Sequence, residues 1–205
     1  MKVISKKILL IGDVGVGKTS ILTKYCNNYF PKGIEPTMGI EFKIKIIKRN
    51  NFNVKLQIWD TSGQEKFKSI TQNYFRDADA LLYVFDVTNK DGLKSVENWL
   101  KIPVENNKKN LIKILIGNKT DLKRRITRDS MKQFLTNNNM IQLFEISAKK
   151  DEKKNISDMF EGIVDLLIKN EPSQNIINSG KNDDIEDIYD ENIDGSGKCP
   201  FCIVN

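Results

Sequence analysis

The sequence predicts an α/β protein with a doubly wound, mostly parallel sheet of six strands, one of which is antiparallel. Six short runs rich in Ile, Val, Leu and Phe have the composition of buried strands. Amphipathic stretches with helical periodicity alternate with these runs, and strands that alternate with helices build a sheet of this class. The predicted strands are Lys7–Ile11, Phe42–Ile47, Val54–Trp59, Ala80–Phe85, Ile112–Ile116 and Ile141–Ile146.

The helices and one tight turn complete the predicted sheet. Asn50 and Asn51 lie between the second and third strands and are typical of a hairpin turn, which makes one strand antiparallel. In the last helix, apolar side chains from Ile156 to Leu167 share one face, so we expect that face to pack on the core. Ligands of such sheets bind at the carboxyl ends of the strands. The predicted helices are Thr19–Cys26, Leu93–Lys101, Ser130–Leu135 and Ile156–Ile168.

The composition of the 205 residues limits the chemistry that the chain can perform. With 39% apolar and 29% charged residues, it is a globular chain rather than a wholly disordered one. It has no histidine and three cysteines, which excludes catalysis by histidine and argues against a zinc site. Apolar runs are too short for a transmembrane helix or a secretory signal. We expect one domain in a reducing compartment.

The net charge of +6 is divided unevenly along the chain. Residues 170–205 contain two basic and eight acidic residues and so carry −6, which leaves +12 on residues 1–169. Helical periodicity also stops after Asn170, so we expect residues 1–169 to be the folded domain and residues 170–205 to be a disordered acidic tail. The basic domain alone leaves nucleic acid, a membrane or acidic proteins open as partners, and a basic surface that is merely solvated is an equal alternative.

A phosphate-binding loop follows the first predicted strand directly. Residues 12–19 have the pattern G-x-x-x-x-G-K-T, in which glycines let the backbone fold so that its N–H groups face a phosphate. The next helix begins at this loop and offers its positive end. Lys18 can reach the β- and γ-phosphates, and the Thr19 hydroxyl can bind Mg²⁺. The candidate phosphate-binding residues are Gly15, Val16, Gly17, Lys18, Thr19 and Ser20.

A second motif, at the end of the fifth strand, is suited to binding guanine. It consists of residues 118–121 with the sequence Asn-Lys-Thr-Asp, and its candidate contacts are Asn118, Lys119 and Asp121. A carboxylate can accept hydrogen bonds from guanine N1–H and the 2-amino group, whereas adenine offers neither donor. A buried Asp121 would therefore reject adenine strongly. After the sixth strand, a backbone N–H group can reach the guanine oxygen from one of three residues, Ser147, Ala148 and Lys149.

Residues with the chemistry of phosphate hydrolysis follow the third strand. Asp60 ends this strand, where a carboxylate can hold Mg²⁺ through water. Gly63 can present a backbone N–H group to a γ-phosphate, and Gln64 can orient the attacking water. Thr37, in the loop before the second strand, can give Mg²⁺ a second protein hydroxyl.

With these five motifs in order, residues 6–169 resemble the Ras superfamily of small GTPases, and within it the Rab proteins. The resemblance implies a P-loop NTPase fold of the Ras-like G-domain type, with GTP or GDP and Mg²⁺ as cofactors and GTP hydrolysis as the activity. It assigns catalysis to Gln64, Lys18 and Gly63, and Mg²⁺ binding to Thr19, Thr37 and Asp60. The segments typical of Rab proteins are Met38–Lys43, Lys55–Trp59, Lys66–Thr71, Tyr74–Ala78 and Val84–Thr88.

The resemblance also implies a switch between GDP- and GTP-bound states that recruits effectors in vesicle trafficking. Phe30 would stack on the guanine, and effectors would contact an aromatic cluster of Phe42, Trp59 and Tyr74, whose alternative role is simple packing. The implied partners are an exchange factor, a GTPase-activating protein, a GDP-dissociation inhibitor, an escort protein and effectors that bind the switch regions.

The last four residues, Cys202 to Asn205, have the C-a-a-X form of a prenylation site. One lipid chain anchors a protein only marginally, and the acidic tail supplies no polybasic second signal. Cys199 is therefore a candidate second lipid site, while an unmodified thiol remains the alternative. We expect the protein on the cytoplasmic face of an endomembrane or of the plasma membrane, with a cytosolic pool.

Three other functions remain to be compared with a cycling GTPase. Val14 is branched where Rab proteins carry small residues, so it could crowd the attacking water and leave a mainly GTP-loaded scaffold; a shifted loop could equally tolerate it. A P-loop metabolic kinase is disfavoured by the guanine motif. A nucleic-acid partner is not expected, because no nucleic-acid-binding motif accompanies the basic charge.

Overall fold

A computed structural model of the chain describes residues 2–31, 33, 37, 40–49, 51–61, 74–103 and 110–170. Within these ranges it contains six strands and four helices of at least nine residues. In chain order they are β1 (Lys2–Ile11), α1 (Lys18–Asn27), β2 (Ile40–Arg49), β3 (Phe52–Thr61), β4 (Ala80–Asp86), α2 (Gly92–Leu100), β5 (Ile112–Asn118), α3 (Arg128–Asn137), β6 (Gln142–Glu145) and α4 (Lys153–Lys169).

The strands form one sheet in the order β2-β3-β1-β4-β5-β6. Only the β2–β3 pair is antiparallel among the described pairings, and Arg49 pairs with Phe52 across the predicted two-residue turn. Asn51 lies in that turn, and Asn50 is outside the described residues. The predicted fold class, six strands with one antiparallel, is confirmed.

Strand β1 is longer than the sequence predicts, since it begins at Lys2 rather than Lys7. It pairs with β3 from Lys2, opposite Phe52, onward. Its first residues alternate between half-buried and exposed side chains, and Lys6 is buried beside Asp79. Side chains of a strand point alternately to its two faces. A continuous apolar run therefore identifies only the part of β1 that is buried on both faces, and misses its first residues.

Helices cover both faces of the sheet. Ile8 and Leu10 point to the face covered by α1 and α4, where the rings of Tyr25 and Phe160 stack with centroids 4.0 Å apart. Leu9 and its alternate neighbours point to the opposite core, covered by α2 and α3. The predicted core face of α4 is confirmed, because its four residues are at most 4% exposed: Ile156, Phe160, Ile163 and Leu167.

Helix α4 links the two ends of the domain. It begins shortly after the segment that follows β6 and runs for 17 residues to Lys169. Near its carboxyl end, Asp165 accepts hydrogen bonds from Arg49 at the tip of β2, with N–O distances of 2.8 Å. Glu161 forms a second ion pair with Arg49, at 3.1 Å. The β2–β3 hairpin is thus held against the last part of the helix.

Strand β1 lies in the middle of the sheet, with β3 on one side and β4 on the other, so the strand order changes direction there. The residues after β1 therefore lie at the switch point of the sheet, where ligands of this architecture bind. The carboxyl ends of β3, β4 and β5 meet at the same edge because these strands run parallel to β1. No helix in the described part of the chain is long and apolar enough to cross a membrane.

Candidate nucleotide-binding and metal site

The loop between β1 and α1 is closed around the ammonium group of Lys18. Lys18 Nζ donates hydrogen bonds to the carbonyl oxygens of Gly12, at 2.8 Å, and Asp13, at 2.9 Å. Burial lowers the pKa of Lys18 to about 8, although the charges of Asp60 and Asp13 oppose this shift. An ammonium in such surroundings gains from nearby anions, which favour its charged form. No side chain among the described residues caps the first turn of α1.

Two glycines of the loop lie where a side chain would not fit. A Cβ atom on Gly12, whose φ is +147°, would lie 2.1 Å from the carbonyl oxygen of Val84. On Gly17, whose φ is +101°, it would lie 2.2 Å from Asn118 Nδ2. Gly12 therefore lets the beginning of the loop pack against β4, and Gly17 lets the end of the loop pack against the last residue of β5.

Three side-chain oxygens converge at the amino end of α1. Thr19 Oγ1 donates to Asp60 Oδ2 at 2.5 Å, and it lies 2.8 Å from Thr37 Oγ1. Asp60 is fully buried, and burial raises its pKa to about 6 against the hydrogen bond from Thr19 and the charge of Lys18. Asp60 Oδ1 has no hydrogen-bond partner among the described residues. Hydroxyl and carboxylate oxygens are the ligands that Mg²⁺ prefers, so these residues fit that ion.

The end of β5 contacts the loop through Asn118. Its Nδ2 donates to the carbonyl oxygen of Val16 at 2.8 Å, and its Oδ1 accepts from the N–H group of Ala148 at 3.1 Å. Ser147 Oγ donates to Asp121 Oδ1 at 2.6 Å. The three predicted segments therefore meet at one place, and Asn118 contacts two of them.

One expectation about this region needs correction. The argument against adenine assumed a buried Asp121, whereas this residue is exposed here. It stands in the turn after β5, where its side chain accepts the hydrogen bond from Ser147. Rejection of adenine through Asp121 would thus require that the base itself cover the carboxylate.

Lys119 lies beside Asn118 in a left-handed backbone conformation, with φ of 67°. Its ammonium is 2.7 Å from Asp86 Oδ2 at the end of β4. Partial burial by itself would raise the pKa of Asp86, but hydrogen bonds from Lys119 and Thr88 outweigh it and lower that pKa. The aliphatic part of Lys119 is thereby fixed along the same edge of the sheet.

The three predicted aromatic residues of the effector surface lie together. The rings of Phe42 and Trp59 stack with centroids 5.0 Å apart, and Tyr74 lies at 5.4 Å from Trp59 with an interplanar angle of 45°. All three are half-buried, so the cluster packs and remains partly accessible. Lys7 Nζ lies 4.8 Å from the centroid of the Trp59 ring.

Comparison with known proteins agrees with this arrangement. Residues 7–169 match the Ras family. The chain is 37% identical over 166 residues to Ras-related protein Rab-13 of Rattus norvegicus, covering 80% of each chain. It is 37% identical over 175 residues to human Rab-30, covering 84% of this chain and 85% of the relative. It is 42% identical over 164 residues to Rab-1 of Theileria parva, covering 78% and 73% respectively.

The chain belongs to the Ras family, as a Rab-type small GTPase. A Rab-type GTPase hydrolyses GTP and binds GTP or GDP with Mg²⁺. The family, the enzyme class and the cofactors inferred from the motifs are therefore confirmed.

Several predicted site residues of this Rab-type GTPase lie outside the described part of the chain. They are Gly63, Gln64, Cys199 and Cys202. Phe30 is described and packs, half-buried, against the core below α1 and α4. Ser20 is buried within α1, and Lys149 is exposed after β6.

The structure of this GTPase also contains a contact that the motifs do not predict. Asp13, a variable position of the loop pattern, directs its carboxylate to Ser95 and Trp99 of α2. The only signal in the sequence is a carboxylate directly after Gly12, and nothing in the local pattern connects it with a helix about 80 residues away.

Proposed function

We propose that this Rab-type GTPase is a molecular switch that recruits effectors to a membrane during vesicle trafficking. The observation that carries the proposal is the 2.8 Å distance between Thr19 Oγ1 and Thr37 Oγ1. Thr19 belongs to the phosphate loop, and Thr37 lies three residues before β2, the strand that carries Phe42 of the aromatic cluster. A change at the phosphates is thereby transmitted to a surface that partners can contact.

The residues of the loop bind and orient the nucleotide. Backbone N–H groups of Gly15, Val16 and Gly17 face the phosphates, and Lys18 neutralises the charge of the β- and γ-phosphates. When bound, Mg²⁺ supplies further neutralisation of phosphate charge during transfer to water. The oxygens assigned to the ion are those of Thr19, Thr37 and, through water, Asp60.

Asn118, Lys119 and Asp121 hold the base together with the segment Ser147–Lys149, and Phe30 packs on its face. Hydrolysis uses Gly63, which donates a backbone N–H to the γ-phosphate, and Gln64, which orients the attacking water. Loss of the γ-phosphate removes the contacts of Thr37 and Gly63, so both segments relax and effectors dissociate.

Residues 1–169 form the GTP-binding domain, and residues 170–205 are the tail that carries the membrane anchor. Cys202 is prenylated, and Cys199 takes a second lipid, because a single chain gives marginal attachment. The partners are an exchange factor, a GTPase-activating protein, a GDP-dissociation inhibitor, an escort protein and effectors. The protein resides on the cytoplasmic face of an endomembrane or the plasma membrane, with a cytosolic pool.

The test combines nucleotide selectivity with nucleotide-dependent capture. The purified chain should prefer GTP and GDP over ATP, and GTP-loaded protein should retain partners from a membrane fraction that GDP-loaded protein does not. Cys202→Ser should move the tagged protein from membranes to the cytosol. Equal capture in both nucleotide states, or unchanged localisation of Cys202→Ser, would contradict the proposal.

A second candidate, a hydrolysis-impaired scaffold that stays GTP-loaded, follows from Val14. Its branched side chain is 49% exposed on the phosphate loop, where it is free to crowd an attacking water or an inserted arginine. Single-turnover hydrolysis of the wild type and of Val14→Ser, with and without an activating protein, separates the two candidates. Equal rates favour the cycling switch, and a clear gain in Val14→Ser favours the scaffold.

A further inference from the structure

Asp13 connects the phosphate loop to helix α2 through both of its carboxylate oxygens. Ser95 Oγ donates a hydrogen bond to Oδ2, and Trp99 Nε1 donates to Oδ1 at 2.8 Å. Ser95 and Trp99 are four residues apart, so they lie on the same face of α2. Trp99 is 2% exposed, and both hydrogen bonds are partly buried. The contact is therefore better shielded from water than an ordinary surface contact.

The backbone of Asp13 contacts Lys18, the residue of the loop that is assigned to the phosphates. Its carbonyl oxygen accepts a hydrogen bond from Lys18 Nζ at 2.9 Å, so one residue connects α2 with the ammonium assigned to the phosphates. The other end of the loop is held by Asn118, which donates to the carbonyl oxygen of Val16 at 2.8 Å. The segment from Asp13 to Val16 is thus fixed at both ends by elements that lie far from it in sequence.

The direction of the carboxylate matters for electrostatic reasons. A negative charge on a phosphate-binding loop repels the phosphates, and the repulsion falls as the carboxylate turns away. The two donors on α2 hold the Asp13 carboxylate toward the helix and satisfy its charge there.

We propose that Asp13 is a positioning residue for nucleotide binding, held in place by Ser95 and Trp99. Together the three side chains fix the position of the Asp13 carbonyl oxygen, which accepts a hydrogen bond from Lys18. They also keep the Asp13 carboxylate away from the phosphates. The link therefore slows nucleotide dissociation. This inference rests on the role of Lys18 in the proposed function.

The experiment is a mutant cycle on the full-length protein, with dissociation of a fluorescent GDP analogue in the presence of Mg²⁺ as readout. Trp99→Phe removes the N–H donor but keeps a ring in the core, and Ser95→Ala removes the hydroxyl. The pair should accelerate dissociation about tenfold, equivalent to about 1.4 kcal/mol. When Ser95→Thr replaces Ser95→Ala in the Trp99→Phe protein, the retained hydroxyl should restore the dissociation rate expected for Trp99→Phe alone.

The cycle also distinguishes positioning from general damage to the helix. Asp13→Ala introduced into the Trp99→Phe, Ser95→Ala protein should cause no further acceleration, because the donors that hold its carboxylate are already gone and residues that act as one unit are not additive. Asn98→Ala is the matched control, since Asn98 lines the same cleft of about 350 Å³ beside Asp13 and Trp99. It should dissociate GDP at the wild-type rate.

Three results overturn the inference: a wild-type rate in the Trp99→Phe, Ser95→Ala protein, an acceleration by Asn98→Ala as large as that of the pair, or an additive cycle, in which Asp13→Ala accelerates dissociation as much in the double variant as in the wild type. Lys18→Ala separates this outcome from failure of the proposed function. If Lys18→Ala retains tight GDP binding, the site assignment fails and the inference with it. If Lys18→Ala loses binding while the cycle is additive, only the role of Asp13 is wrong.

Discussion

Asn118 occupies the space into which a side chain at Gly17 would project. The Nδ2 atom of Asn118 lies 2.2 Å from the position of a Cβ atom on Gly17, and the same Nδ2 donates to the carbonyl oxygen of Val16. The phosphate loop and the base motif therefore share one close contact. A change at either residue alters the geometry of both parts of the site.

Gly17→Ala should reduce GDP affinity at least 100-fold. The substitution combines a left-handed φ, which costs about 1–3 kcal/mol, with a clash that displaces Asn118. Gly33→Ala is the matched control, because Gly33 has a φ of +76° and, among the described residues beyond its chain neighbours, no atom lies within 4 Å of an added Cβ. Isothermal titration with GDP measures both. Comparable losses in the two variants would show that strain alone, rather than the clash with Asn118, is responsible.

Asp121→Ala should weaken GTP binding by about 100-fold or more and leave the weak binding of ATP almost unchanged. The reason is the loss of charge-assisted hydrogen bonds to the guanine edge, each worth about 1.5–3 kcal/mol. Competition of GTP and ATP against a fluorescent GDP analogue measures the ratio. Asp129→Ala, an exposed acid in the first turn of α3, serves as control and should keep the wild-type selectivity. An unchanged ratio in Asp121→Ala would remove Asp121 from base recognition.

Thr37→Val should leave GDP dissociation near the wild-type rate but accelerate dissociation of a non-hydrolysable GTP analogue. Thr37 is expected to act only while the γ-phosphate is present, whereas Thr19 belongs to the loop in both states. Thr19→Val should accordingly accelerate dissociation of both nucleotides at low millimolar Mg²⁺. If Thr37→Val accelerates the two dissociations equally, Thr37 does not sense the γ-phosphate.

Lys119→Met should raise the pKa of Asp86 toward the ordinary range of about 4 and reduce stability at neutral pH. The folded-state pKa of Asp86 is lowered, so its contribution to stability is present above the unfolded-state pKa and is lost as the pH falls through the folded value. The difference between Lys119→Met and the wild type in urea denaturation should therefore shrink from pH 7 toward pH 3. Lys123→Met, in the exposed turn that follows, should show no such pH-dependent difference.

Phe160→Ala should lower the free energy of unfolding by about 3–5 kcal/mol, because it leaves a large cavity in the core. Phe160 is fully buried, and its ring stacks on Tyr25 between α4 and α1. Urea denaturation of the GDP-bound protein measures the change. Leu166→Ala, which is half-buried on the same helix, should cost clearly less. A loss in Phe160→Ala no larger than in Leu166→Ala would contradict the assigned packing.

The features predictable from sequence are those that depend on local spacing. Lys18 and Thr19 follow a strand within a fixed pattern, and Asn118 ends a buried strand. The parallel sheet then brings them to one edge without further information. The burial of strands and of one face of α4 follows from periodicity for the same reason.

The contacts that sequence reasoning missed depend on distant segments. The pairing of Asp13 with Ser95 joins a variable loop position to a helix 82 residues away, and no periodicity encodes it. Lys6 is buried because Asp79 lies beside it, so the polar start of β1 did not resemble a strand. The exposure of Asp121 likewise depends on how the turn after β5 packs, which its residue type does not specify.

Helix α4 sets the distance between the proposed base-binding site and the start of the tail proposed to carry the membrane anchor. At about 1.5 Å per residue, its 17 residues extend about 25 Å from the base-binding segment to the point where the tail begins. Arg49 holds the hairpin at this distant end, so the helix cannot tilt without breaking two ion pairs. A lipid-anchored tail would thus attach the domain at the end remote from the base, and an exchange factor could approach the nucleotide while the lipid stays in the bilayer.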